Sequence, residues 1–157
     1  HVSIDADFKA VIEACAAPSI TRDDSWINDE IISLYCTLHK MGFAHSVEVW
    51  EGHTLIGGLY GVRIGQAFFC ESMFSRRSNA SKIALTHLMA RLYHAGFHLL
   101  DAQFSNDHLL QFGLQEIPKQ LFKQKLAIAL STQSEFPVNV SEEEALCYLA
   151  QARTVTS

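Results

Sequence analysis

Residues 45–74, HSVEVWEGHTLIGGLYGVRIGQAFFCESMF, decide the fold. Val, Ile, Phe, Tyr and Trp crowd three segments, 45–51, 54–64 and 66–74, and these residue types suit the pleated, half-buried surface of a strand. Gly52 and Gly65 mark the two junctions. Connections this short join antiparallel neighbours, so the stretch predicts an antiparallel meander. Gly57-Gly58 lies in the middle strand, where it weakens pairing and points to a bulge or a close approach by another backbone. Glu71 interrupts the third apolar run, either on the solvent face or buried with a partner.

Working outward, residues 5–17 read as a short helix with Phe8, Val11, Ile12 and Cys15 on one face and Pro18 as its stop. A polar turn over 21–25 precedes a second helix, which carries Ile27, Ile31, Leu34, Tyr35 and Leu38 on one face and ends at Gly42. Ser25 is its expected N-cap, and Asp29-Glu30 sit where the helix dipole favours acids. Beyond the meander, a long helix over 79–95 offers Ile83, Leu85, Leu88, Met89 and Leu92 for burial and stops at Gly96. A fourth strand over 97–104, a short helix over 106–112 closed by Gly113, and a helix from Pro118 to Leu130 follow. This predicts an α+β layer, a mostly antiparallel sheet flanked by helices, over residues 1–130, with 131–157 as a polar tail and possible short helix around Glu142-Glu143-Glu144. The order resembles the core of the GNAT acyltransferase fold, in which a strand bulge and the start of the long helix hold the acyl donor.

Composition narrows the functional classes. The 157 residues are 48% hydrophobic and 18% charged, enough apolar material for a single core without covalent staples. Acids outnumber bases 17 to 12, giving a net charge of −5 with neutral histidines, which argues against a delocalised grip on nucleic acid and leaves only local contacts. No apolar run approaches the ~20 residues that cross a bilayer. No signal peptide is expected either, since Asp5, Asp7 and Lys9 open the first amphipathic segment. Cys15, Cys36, Cys70 and Cys147 form no C-x-x-C pair and read as thiols of a reducing, cytoplasmic compartment. The eight histidines never join cysteines at zinc-site spacing, so no metal is expected. The chain begins at His1, which reads as a fragment or a processed product.

Two stretches could carry chemistry. Residues 75–82 place hydroxyls, Arg76, Arg77 and Lys82 around a helix N-terminus, a setting for an anion that also fits an ordinary capped helix with solvated bases. In a strand, Asp101 and Gln103 point to the same face. A carboxylate and an amide so placed can hold, orient and deprotonate an amine, or can satisfy each other.

Read together, these segments resemble the leucyl/phenylalanyl-tRNA–protein transferases. The matching residues are Ser25-Trp26-Ile27, Ala44-His45-Ser46-Val47-Glu48-Val49-Trp50 and Leu55-Ile56-Gly57-Gly58-Leu59-Tyr60-Gly61-Val62, then Glu71-Ser72-Met73-Phe74-Ser75-Arg76 and Asn79-Ala80-Ser81-Lys82. Asp101-Ala102-Gln103-Phe104, Asn106-Asp107-His108 and Glu116-Ile117-Pro118 complete the series, in order, over about residues 5–125. The resemblance implies a GNAT-like domain that moves Leu, Phe or Met from the 3′ end of aminoacyl-tRNA to a protein beginning with Arg or Lys. That step marks the acceptor for N-end rule degradation, and it uses neither metal nor organic cofactor. It further implies Asp101, Gln103 and Glu71 as the catalytic network, and Trp26, Arg76, Ser81 and Lys82 at the tRNA 3′ end. Leu59, Phe68, Leu88 and Leu92 are implied around the transferred side chain, though all four also suit plain core.

The departures from the family pattern are specific. The family's usual N-terminal domain, with its Pro-Trp segment, has no counterpart in these residues. Leu88 and Leu92 stand where aromatics are frequent, which implies an altered side-chain preference. Gln111-Phe112-Gly113 replaces a usual Ser-Leu-Gly, and Lys119-Gln120 replaces a pair of arginines, which implies one phosphate contact fewer. Two other readings stay open: an acetyl-CoA-dependent GNAT acetyltransferase and a non-catalytic tRNA- or peptide-binding remnant. Against the first, no glycine-rich pyrophosphate loop precedes the long helix.

Overall fold

The computed structural model describes residues 1–18, 25–103, 110, 112–144 and 147. The meander forms as β2 (Ala44–Glu51), β3 (Thr54–Ile64) and β4 (Ala67–Ser75), each antiparallel to the next, with Gly52 and Gly65 turning at φ 58° and 60°. An edge strand that the sequence did not announce, β1 (Val2–Ile4), pairs antiparallel with β2. Three residues carry too little alternation to be read as a strand. What holds them is distant: Ser3 Oγ donates to Glu48 Oε2 at 2.7 Å and accepts from Trp50 Nε1 at 2.8 Å. The other edge is β5 (Leu99–Asp101), which runs parallel to β4. The five strands lie in chain order.

Helices cover both faces. On one side pack α1 (Phe8–Ala16) and α2 (Asp29–Lys40), whose cluster contains Phe8, Val11, Ile12, Cys15, Ile27 and Tyr60. On the other packs α3 (Ala80–His94), burying Leu85, Leu88 and Leu92 against Val47, Leu59 and Phe68. A further helix, α4 (Lys119–Leu130), lies against β4 and β5. The expected α+β architecture, helices on a mostly antiparallel sheet, is thus present.

Several boundaries differ from expectation, each for a local reason. α1 starts at Phe8 and not at residue 5, because Asp5 sits at φ 56° and spends its carboxylate on Ser46 N–H (2.8 Å) and His45 Nδ1 (2.7 Å). Asp7 is the cap, accepting from Ala10 N–H at 3.0 Å. For α2 the cap is Asn28 and not Ser25; Asn28 Oδ1 accepts from Ile31 N–H at 2.9 Å, while Ser25 Oγ accepts from Ile27 N–H. Leu34, expected on the buried face, is exposed. The strand expected over 97–104 is confined to its middle. Residues 21–24 of the polar turn, most of the short helix over 106–112, Phe104 and residues 148–157 lie outside the described residues.

The segment after α4 does not trail away. Phe136 is 6% exposed, stacks on His45 (4.2 Å, 10°) and meets Phe68 at 5.3 Å. Arg63 donates to Ser134 O, and Arg91 to Pro137 O and Val140 O. These contacts join residues 134–140 to the core of the domain.

Gly57-Gly58 serves a close approach. A Cβ on Gly57 would stand 2.4 Å from Ala80 Cβ, so the start of α3 rests on the bare backbone of β3. Gly57→Ala is expected to cost about 1–3 kcal/mol, as other overpacked cores do. Thermal unfolding measures this, and an unchanged melting temperature would mean that α3 shifts freely.

Candidate active site

β4 slips by one residue against β3: Tyr60 pairs with Ser72 and Gly61 with Cys70. Glu71 is left over between them, the extra residue of a β-bulge. The bulge resolves the choice the sequence left open. Glu71 is half-buried on the α1–α2 side of the sheet, and it has partners. The phenol of Tyr35 on α2 lies near its carboxylate. Burial, then the neighbouring Glu71, push the Tyr35 hydroxyl up to about 12, so it remains neutral at physiological pH. Tyr60 lies edge-on to Tyr35 at 5.3 Å, its own pKa raised chiefly by burial. Tyr60 Oη is buried without a hydrogen-bond partner among the described residues.

The second carboxylate comes from the sheet edge. β5 ends at Asp101, level with Phe69 of β4. The sequence places Asp101 and Gln103 as same-face strand neighbours, and here the structure differs. Asp101 Oδ1 accepts from the backbone N–H of Gln103 at 2.8 Å, and Gln103 adopts φ 64°. An Asp side chain that captures the N–H two residues on competes with the sheet and terminates it. The turn throws the Gln103 side chain across to β4, where Nε2 donates to Glu71 Oε2 at 3.0 Å. Asp101, Gln103 and Glu71 therefore form one connected chain, with the Tyr35 phenol near Glu71. The amide orientation is set by that bond, with the carbonyl oxygen directed away from Glu71. Tyr35 is the member that sequence reasoning missed as a site residue. Its one signal was a hydroxyl on an otherwise apolar helix face, since a buried Tyr oxygen requires a partner.

Asp101 and Gln103 border a cleft of about 800 Å³ between β5, α3 and α4. Leu85 and Met89, one helical turn apart on α3, line it together with Leu100 and Phe112. Glu116, Lys119, Phe122 and Lys125 line it on the α4 side. The residues expected around a transferred side chain lie elsewhere: Leu59, Phe68, Leu88 and Leu92 are buried in the α3-side core, and none borders the cleft. Trp26 (52% exposed), Arg76, Ser81 and Lys82 do not border it either. Arg76 binds Leu55 O at 3.0 Å and covers the Phe74 ring, facing a shallower groove with Trp50 and His53. Ser81 N–H donates to Ser75 Oγ at 3.3 Å, so a hydroxyl of the chain itself caps one free amide at the start of α3.

Cysteine chemistry finds no support at this site. Burial, with Cys15, Glu71 and Asp101 nearby, pushes the Cys70 thiol up to about 12, and a buried thiol of that kind is inert. Among the described residues no group of three His, Cys, Asp or Glu side chains is placed to hold a metal, and no helix is long and apolar enough to cross a membrane. The arrangement instead suits an incoming amine, offering it a carboxylate and an oriented amide carbonyl beside an apolar recess.

The chain is similar to known proteins over most of its length. Residues 1–127 match the family model described as leucyl/phenylalanyl-tRNA protein transferase. The chain is similar to the leucyl/phenylalanyl-tRNA–protein transferase of Hyphomonas neptunium, 57% identical over 136 residues that cover 87% of this chain and 53% of that protein. It is 50% identical to the enzyme of the same name from Paramagnetospirillum magneticum (89% and 67% covered) and 48% identical to that of Maricaulis maris (96% and 71% covered). The chain thus spans about half the length of the first of these relatives and two-thirds or slightly more of the others. A solved structure of AAC(6′)-Iy with a bisubstrate analogue aligns at a TM-score of 0.46 and 13% identity, covering 90% of this chain and 96% of that one.

Proposed function

The chain belongs to the leucyl/phenylalanyl-tRNA–protein transferase family, and from that premise we propose that its cleft joins an amino acid carried on tRNA to the N-terminus of a protein. The transferred residue is Leu, Phe or Met, the acceptor begins with Arg or Lys, and the product is marked for N-end rule degradation in the cytoplasm. The observation that carries this reading is the linked set of Asp101, Gln103 and Glu71 at the mouth of an apolar cleft.

The chemistry follows from the groups present. The acceptor amine has an unperturbed pKa of ~7.7–8.0, so at pH 7 most of it is protonated and must give up a proton before attack. Asp101 and the Gln103 carbonyl oxygen accept its N–H groups, orienting the lone pair toward the ester carbon of the aminoacyl-tRNA. The C–N bond forms as the bond from that carbon to the ribose oxygen breaks, and the amine proton is relayed to the departing oxygen. Glu71 and Tyr35 do not touch the substrate in this scheme; they fix the amide of Gln103. The two carboxylates also draw in an acceptor that is cationic at both its amine and its side chain. Leu85, Met89 and Leu100 present no polar group, which suits an apolar side chain on the donor.

Incubation with labelled Leu-tRNA or Phe-tRNA and an Arg-starting peptide tests the reading. Label is expected in the peptide. No label, with this chain or with a form that carries the family's additional N-terminal domain, overturns the reading. So does acylation from acetyl-CoA in place of tRNA.

A further inference from the structure

We propose that the acceptor polypeptide binds as an added β-strand: its first three residues lie antiparallel along the outer edge of β5, and the second exchanges backbone hydrogen bonds with Leu100. This rests on the transferase reading and adds the acceptor's binding mode to it. Among the described residues β5 is the last strand of the five-stranded sheet. Leu99 N–H donates to Gln66 O at 3.3 Å, a carbonyl it shares with His98 N–H, and residues 99–101 are in parallel register with 67–69. Along such a ladder, residues that bond the neighbour alternate with residues whose N–H and C=O turn away from it. Leu99 and Asp101 therefore address β4, and Leu100 presents both backbone groups to the outer side. That side is the cleft, which residues 98–103 border in an unbroken run. Residues 113–117, a stretch without helix or strand, border the same cleft.

The site fixes direction and register. An acceptor whose amine meets Asp101 has its first residue level with Asp101, its second level with Leu100 and its third level with Leu99. Its chain then runs opposite to β5. Opposed residues of two strands share a face, and Leu100 packs on the α3 side, so Asp101 and the acceptor's first side chain fall on the other side. Glu71 lies on that side too, and a cationic first side chain meets two acids there. The turn from Asp101 to Gln103 ends the strand, which limits pairing to three residues, about 10 Å. Strand addition binds a chain through its backbone, which suits acceptors that share only their first residue.

Arg-starting peptides carrying a single backbone N-methyl group test this on the intact protein, with transfer kinetics and amide exchange as the readouts. At residue 2 the methyl group replaces the N–H that meets Leu100 O, and acceptor KM is expected to rise by about 10-fold or more while KM for aminoacyl-tRNA is unchanged. At residue 3, whose N–H points away from β5, the change should stay within about 2-fold. Saturating unmodified peptide should slow exchange of the Leu100 amide, and the peptide methylated at residue 2 should not. Lengthening the acceptor from arginine amide to three residues should lower KM, and further residues should add little. Equal sensitivity at residues 2 and 3, at neither, or at residue 3 alone overturns the added strand and leaves the transferase reading standing. So does a Leu100 amide that saturating peptide leaves unprotected. No transfer to any acceptor, by this chain or by a form with the additional N-terminal domain, overturns both.

Discussion

Asp101→Ala and Gln103→Ala are each expected to lower the transfer rate by roughly 10²-fold or more, the usual loss when a positioned acid–base group is removed. Binding of aminoacyl-tRNA should change little, because both groups face the amine and not the donor's phosphates. Two companion variants separate chemistry from folding. Asp101→Asn retains an oxygen to accept the Gln103 N–H, so the turn survives while the charge is lost. Gln103→Gly removes the amide at a position with φ 64°, where glycine is at ease, so its fold should be at least as stable as wild type. Activity lost in both, with unchanged melting temperatures, assigns the loss to the site. Glu71→Gln puts two amides face to face and should loosen Gln103, giving a smaller loss that includes a rise in acceptor KM. Wild-type turnover in Asp101→Ala or Gln103→Ala would reduce that residue to a structural part of the turn.

The second large effect concerns the core. Leu88 is fully buried between α3 and the sheet, so Leu88→Ala should cost about 2–5 kcal/mol through lost burial and the cavity left behind. For a domain of this size each kcal/mol corresponds to about 2–4 °C, so the melting temperature should fall by roughly 4–20 °C. Transfer of Leu and of Phe should decline together, with their ratio unchanged. Met89 is the contrast. It sits one residue along the same helix but lines the cleft, so Met89→Ala should shift the Leu/Phe ratio at a smaller cost in stability. One methylene of fit is worth ~1–3 kcal/mol, which gives a changed preference and not an absolute one. A shifted ratio in Leu88→Ala without destabilisation would place Leu88 in the pocket instead of the core.

The elements whose causes lie within a few neighbouring residues were legible in order and type. The β2–β3–β4 meander showed as β-branched and aromatic runs punctuated by Gly52 and Gly65, and both glycines do turn at positive φ. α3 showed as an apolar period ending at Gly96, and α4 as a run opening at Pro118. Asp101, Gln103 and Glu71 were legible as candidates because polar groups set in apolar strands cost free energy unless something uses them. Their connection was not legible. Glu71 faces its partners because β4 slips one residue against β3, a register fixed by pairing along the whole strand. Gln103 reaches it because Asp101 captures an N–H that the strand pattern assigns to the sheet.

The same holds for the parts that arrive from far along the chain. β1 exists through Glu48, forty-five residues after Ser3, and Phe136 enters the core against His45 and Phe68. Tyr35 becomes a site residue only because α2 packs over the bulge that exposes Glu71. Apolar residues on one helix are equivalent to the eye of a sequence reader, yet Leu88 faces the sheet and Met89 the cleft. Periodicity, glycine turns and caps are local in chain and so can be read there. Register, bulges and the sorting of core from cleft depend on which surfaces meet, and long-range packing alone sets that.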